Sequence, residues 1–318
     1  MEFRTLLAQS LAIATLAISS ALPALAKDFP NRQVTLIVPF PPGGGADLLA
    51  RLLAKKFQEA WGQTVVVMNR PGAAGIIGAK EVGRAEPDGH TLLIAASGAV
   101  VPSNAAELAP ISLLSAPAQI VAVNSSLPVS NLLELVAYAK ARPDGSVSYA
   151  SSGPASASHL SGELFEALTQ TKLTHVPYKG MAQAVQDLIG GQVTVMFGSA
   201  PALLPHIKSG ELKGLAVTDT HRSPFYNDIP TAGESGVPNF EVQVWYGIFA
   251  PANTAPEVIA KIHAETLKVL TATDARDMLA SQGATPIGSD PAEFSRFLAA
   301  DLAKWNALMK KAGAAAPN

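Results

Sequence analysis

Three stretches of the chain combine residue types suited to holding a small anion. Pro39-Phe40-Pro41-Pro42-Gly43-Gly44-Gly45-Ala46-Asp47 joins the end of an expected strand to the start of an expected helix. Glycine lets a backbone approach a ligand closely, and the unpaired N–H groups of a helix start favour negative charge. The Lys-Ser/Thr pair of a P-loop is missing and the spacing is not GxGxxG. A tight turn with Asp47 as helix cap is the competing reading. It is the stronger one for Asp47, because a carboxylate repels an anion bound beside it. Ser151-Ser152-Gly153-Pro154-Ala155-Ser156-Ala157-Ser158-His159 repeats the design, with four serine hydroxyls and an imidazole within the first helical turn. Ordinary serine capping is the alternative there. In the third stretch, His175-Val176-Pro177-Tyr178-Lys179-Gly180, Lys179 is a candidate charge partner, with a solvated surface lysine as the alternative.

Catalytic patterns fare worse. Gly233-Glu234-Ser235-Gly236 lacks the closing glycine of a nucleophile elbow, since Val237 follows. The histidines at 90, 159, 175, 206, 221 and 263 form no HExxH and no close pair, so no metal site is expected. Cysteine is absent, which removes thiolate metal sites, redox pairs and disulfides. No cofactor motif is found.

The elements that must position these loops follow from hydrophobic periodicity. Strands are expected over 34–38, 64–68, 91–95, 120–123, 147–150, 173–177, 193–197, 212–217 and 242–249. A helix should open at Asp47, present Leu48, Leu49, Leu52, Leu53, Phe57 and Trp61 on one face, and end at Gly62. Further helices are expected after the glycine-spaced turn 72–78 and over 132–141, 156–169, 182–189, 203–209, 256–270 and 291–311. The alternation of strand and helix implies α/β units with mainly parallel sheets. The element count gives two units, with a crossing near residue 120 and a return near 247. Similar anion-binding loops in both units describe a cleft that closes on one small acid, because ligands of open α/β sheets sit at strand C-termini.

The 318 residues carry 23 basic and 25 acidic side chains, 48% hydrophobic and 15% charged residues. That length provides for about two domains. The balance shows no basic excess for nucleic acid. Residues 1–26 read as a secretory signal: Arg4 in the n-region, an apolar run from Leu6 to about Leu22, and the small-x-small pattern Ala24-Leu25-Ala26. No later segment is apolar enough to span a membrane, and the lack of cysteine fits a bacterial periplasm.

Seven stretches, in one order, resemble the Bug family of periplasmic substrate-binding proteins, the receptors of tripartite tricarboxylate transporters. They are VTLIVPFPPGGGADLLAR, NRPGAAGIIGAKEVGRAEPDGHTLL, YASSGPASASHLSGELFEAL, HVPYKGMAQAVQDLIGGQVTVMF, AVTDTHRSP, IPTAGESGVPNFEV and WYGIFAP. The resemblance implies a two-lobed, type II-like periplasmic-binding-protein fold with two hinge crossings and a ligand cleft between the lobes. Lobe 1 would hold 27–120 plus 248–318, and lobe 2 would hold 121–247. It further implies that a small organic carboxylate is held largely by backbone N–H groups and water. Phe40, Gly44, Gly45 and Ala46 would line the first wall. Ser152, Gly153, Ser156 and His159 would face them, with Gly198 and Ser199 nearby. Where the family often has Asp, this chain has Gly198, which implies fewer acceptors for a ligand amino group. The stretch 95–109 is shorter than is usual in the family. The expected partners are the carboxylate and the membrane permease subunits, and the expected state is a monomer. A ligand-sensing subunit of a signalling system is the alternative, and a periplasmic enzyme on the same scaffold a third reading.

Overall fold

A computed structural model describes residues 29–154, 156–178 and 180–311 of the chain. The expected signal, residues 1–26, and Lys179 lie outside the described residues.

The first lobe starts with β1 (Val34–Val38), whose apolar residues are buried on both faces. The glycine loop leads into α1 (Gly45–Trp61). Leu49, Leu53 and Phe57, spaced by four, are fully buried under the sheet, while Leu48 is exposed rather than part of the packed face. Gly62 ends the helix at φ 66°, in the left-handed region that glycine adopts without strain, and its N–H returns to the Gln58 carbonyl. Next come β2 (Val65–Asn69), α2 (Ile76–Gly83), β3 (Thr91–Ala96) and β4 (Leu108–Ser115). The chain then crosses to the second lobe: β5 (Gln119–Asn124), α3 (Leu132–Lys140), β6 (Ser148–Ser151), α4 (Ala157–Thr169), β7 (Thr174–Pro177), α5 (Met181–Ile189), β8 (Val195–Ser199), α6 (Ala200–Lys208) and β9 (Leu212–Val217). It returns with β10 (Tyr246–Pro251) and ends in α7 (Pro256–Thr271), α8 (Thr273–Ser281) and α9 (Pro291–Lys311).

The two sheets share one plan. The first runs β2-β1-β3-β10-β4 and the second β7-β6-β8-β5-β9. Three parallel strands in each are followed by a strand from the crossing that runs antiparallel to both its neighbours. Four of the five strands in each sheet therefore run one way, and a single reversed strand makes the sheet mixed. The hydrophobic pattern could not show this, because strands buried on both faces look alike in either direction.

Three elements differ from expectation. β4 is an edge strand carrying Pro110, which an edge tolerates. Two of its polar groups are matched from far away: Ser112 Oγ donates to the Ser289 carbonyl at 2.9 Å and Leu113 N–H to Ser289 Oγ at 3.0 Å. The expected strand 242–249 is split. Val242 and Val244 donate to the Thr218 and Pro117 carbonyls, so the return crossing lies against the outgoing one, and β10 begins only at Tyr246. α8 buries just Ala275 and Leu279, too few apolar positions to announce a helix.

The last helix joins the lobes a third time. Phe294 packs among Trp245 and Phe249 in the first lobe, while Trp305 lies on the hydrophobic cluster of the second. Asp301 accepts both indole N–H groups, from Trp245 at 2.8 Å and Trp305 at 2.9 Å, and Lys304 Nζ donates to the Glu241 carbonyl.

Candidate functional site

The two lobes enclose a cleft of about 490 Å³ whose walls are the glycine and serine loops. Asp47 sets the first wall. The residue is 2% exposed, and its carboxylate accepts the Gly43 N–H at 3.0 Å, Arg51 Nε at 2.9 Å and Asn69 Nδ2 at 2.9 Å. Asn69 Nδ2 also donates to the Phe40 carbonyl at 3.0 Å. The loop is thus tied at both ends, and Asp47 faces away from the cleft. Burial alone would raise its pKa. The bonds from Arg51, Gly43 and Asn69, with the Arg51 charge, hold it below the ordinary carboxylate value.

The glycines have separate reasons. Gly43 has φ 92°, which favours glycine. Gly44 has ordinary extended angles, and a Cβ there would meet open space. At Gly45 a Cβ would overlap the Tyr246 hydroxyl and lie 2.8 Å from Gln282 Oε1, so the close approach is made there.

The serine loop is knotted on itself. Gly153 N–H donates to Ser151 Oγ at 3.0 Å, and Ser156 Oγ donates to the Gly153 carbonyl at 2.6 Å and accepts the His159 N–H at 3.3 Å. Ser158 Oγ accepts the Ser152 N–H at 3.0 Å. These hydroxyls shape the loop. The donors left over at the start of α4 are backbone N–H groups of Ala157 and Ser158, which have no intrahelical partner.

Four helices start at this cleft. Their N-cap residues, Gly44 of α1, Ser156 of α4, Gly180 of α5 and Ser199 of α6, all line it. No Lys, Arg, Asp or Glu is found among the described lining residues. The four helix N-termini give the cleft a field that favours an anion.

Of the residues anticipated from sequence, Phe40, Gly44, Gly45, Ala46, Ser152, Ser156 and Ser199 line the cleft. Gly153, His159 and Gly198 do not. Gly153 supplies a turn at φ 119° behind the wall. Alternation along β8 puts Ser199 in the cleft and Gly198 on the opposite face, where a Cβ would press on Leu203 Cδ1 at 2.8 Å. His159 turns behind the loop and stacks on His175 at 4.1 Å, with Glu163 3.5 Å from Nε2. Burial lowers the pKa of His159 against the pull of Glu163. Burial and the neighbouring His159 bring His175 down to about 4. His175 Nε2 lies 2.6 Å from Ser151 Oγ, so the ring pair supports the serine loop from behind. Ser97, in the shortened stretch 95–109, lines the cleft as well, and sequence reasoning missed Gln119, Met181, Val244 and Tyr246, which also line it. The placing of a crossing near 120 was the signal available for Gln119.

The fold has counterparts among known proteins. The family model for the tripartite tricarboxylate transporter family receptor matches residues 49–314. The chain is 36% identical over 305 residues to protein BugT of Bordetella pertussis, covering 92% of this chain and 93% of that one. The chain belongs to the tripartite tricarboxylate transporter receptor family. Two solved relatives of this receptor carry ligands. An R. palustris protein solved with adipate superposes with a TM-score of 0.79 at 35% identity, covering 90% of this chain and 99% of that one. MatC from Rhodopseudomonas palustris, with bound malate, superposes at 0.77 with 31% identity, covering 88% and 99%.

In this receptor the cleft continues into a second chamber of about 480 Å³. Gly44, Gly45, Met181, Ser199, Val244 and Tyr246 border both. Leu48 lines the second chamber, which accounts for its exposure outside the core. Burial pushes the Tyr246 phenol up to about 12, so it is a neutral donor at the divide.

Proposed function

We propose that this receptor captures a small organic carboxylate in the cleft and delivers it, without chemical change, to the permease subunits of a tripartite tricarboxylate-type transporter. The observation that carries the reading is the convergence of four helix N-termini on a cleft whose described walls hold no charged side chain. Such a site attracts a carboxylate through backbone N–H groups, in charge-assisted bonds of roughly 1.5–3 kcal/mol each. The adipate and malate carried by relatives support the same class. Phe40, Gly44, Gly45, Ala46, Ser152, Ser156 and Ser199 are the proposed contacts. Gly153 and His159 act from behind the serine loop, as supports, and Gly198 packs beneath α6. The lobes, divided at the crossings near 120 and 247, close on the ligand by hinge motion, because contacts to both walls form only when the cleft is shut. The protein works as a monomer in the periplasm after removal of residues 1–26.

A thermal-shift screen of mono-, di- and tricarboxylates tests this. A ligand at one hundred times its Kd stabilises the folded state by about 2.7 kcal/mol, a readily measured rise in melting temperature. A flat response across the panel, or tight binding of a cation or neutral sugar instead, overturns the reading.

A further inference from the structure

Gln119 is 1% exposed, yet its Oε1 has no hydrogen-bond partner in the protein, and the residue lines the cleft. Leaving a buried acceptor unsatisfied is costly, so an orphan in a ligand-facing wall marks a group kept for the ligand. Its backbone is fixed from both sides. The Gln119 N–H donates to Thr218 Oγ1 at 2.9 Å, and the Thr218 N–H donates to the Gln119 carbonyl at 2.9 Å. Gln119 also stands directly opposite Ser199, the N-cap of α6, in the β5–β8 ladder. It follows the crossing at Ala118, which pairs with Gln243 of the return crossing. The backbone of Gln119 is thus fixed at the base of the cleft, beside one of the anion-favouring helix starts. In the other lobe's wall, Ser97 Oγ is buried without a partner as well.

We propose that Gln119 is the specificity residue of the cleft and selects carboxylates that carry a hydroxyl group, whose O–H donates to Gln119 Oε1. This rests on the carboxylate reading of the cleft. A carboxylate oxygen cannot satisfy Oε1 as the amide is oriented here, since Oε1 accepts and the ionised ligand group has no proton to give. An ammonium has protons but wants an opposing charge, and no Asp or Glu lines the described wall. A neutral donor next to a carboxylate is a hydroxyl. Ser97 Oγ can donate or accept, so it serves the same hydroxyl from the opposite side.

Calorimetry with matched acids decides the matter: malate against succinate, citrate against tricarballylate, lactate against propionate. In wild type, the hydroxy member of at least one pair should bind tenfold or more tightly than its deoxy twin. Gln119→Met, similar in length and without an amide oxygen, should reduce that ratio to about one. Gln119→Glu should shift preference toward the amino analogue, so that aspartate gains on malate relative to wild type. Circular dichroism confirms that each variant is folded. Equal binding of hydroxy and deoxy twins by wild type overturns the proposal, as does a ratio left unchanged in both variants. Silence from every acid fails the carboxylate reading itself, whereas tight binding of deoxy acids alone fails only the role of Gln119.

Discussion

Asp47 reaches back four residues and accepts the N–H of Gly43 at 3.0 Å, so a residue inside α1 fixes the loop that precedes it. The same carboxylate orients Asn69, which holds the Phe40 carbonyl. Asp47→Ala leaves three donors without their partner. Stability should fall by about 2–3 kcal/mol in urea denaturation, and carboxylate affinity should drop with it. Because the folded pKa lies below the ordinary value, this contribution is complete above about pH 4 and is lost as pH falls through the folded value. The variant should therefore show a flatter acid limb than wild type.

Neighbouring glycines should separate binding from folding. Gly44→Val meets open space with permitted angles, so the protein should fold and melt normally. Its branched side chain would fill the approach to the helix start, and affinity should fall at least a hundredfold by calorimetry. Gly45→Ala should do the opposite to stability, costing about 1–3 kcal/mol as Tyr246 is displaced.

The histidine stack predicts an acid weakness. His175 has a folded pKa of about 4, below its ordinary value. The unfolded chain thus binds the proton first, and stability declines as pH falls from about 6.5 to about 4. The decline should be on the order of 2 kcal/mol, allowing for the ring's partial contact with water. His175→Gln should remove that part of the slope in melting temperature against pH.

Trp305 ties α9 to the second lobe, half-buried on its core cluster and hydrogen-bonded to Asp301. Trp305→Ala should cost about 2 kcal/mol. It should also enlarge the radius of gyration of the ligand-free protein in small-angle scattering. An unchanged radius would mean that α9 does not restrain the lobes.

The two lobes, the strand-to-helix loops and the end of α1 at Gly62 were legible because periodicity and glycine chemistry are local. Gln119 and Tyr246 were not, because each becomes a wall residue only when two crossings meet side by side. The serine hydroxyls looked like ligand donors because sequence shows a group but not its partner. Ser156 and Ser158 spend theirs on the loop. His159 had helical spacing that placed it one turn into α4, but the side chain turns toward His175, sixteen residues away in sequence and adjacent only through the β6–β7 pairing.

The position of β10 has a consequence for how the molecule is made. It is the sole sheet neighbour of β4 and separates it from β3, pairing Ile248 with Ile94 and with Ser112. In chain order β10 comes only after every strand of the second lobe. The second lobe can assemble from one uninterrupted segment, whereas the first must wait for a strand encoded far downstream. Until β10 docks, β3 has a bare hydrogen-bonding edge and β4 has no sheet to join, so a partly folded first lobe is the form most exposed to edge-to-edge aggregation.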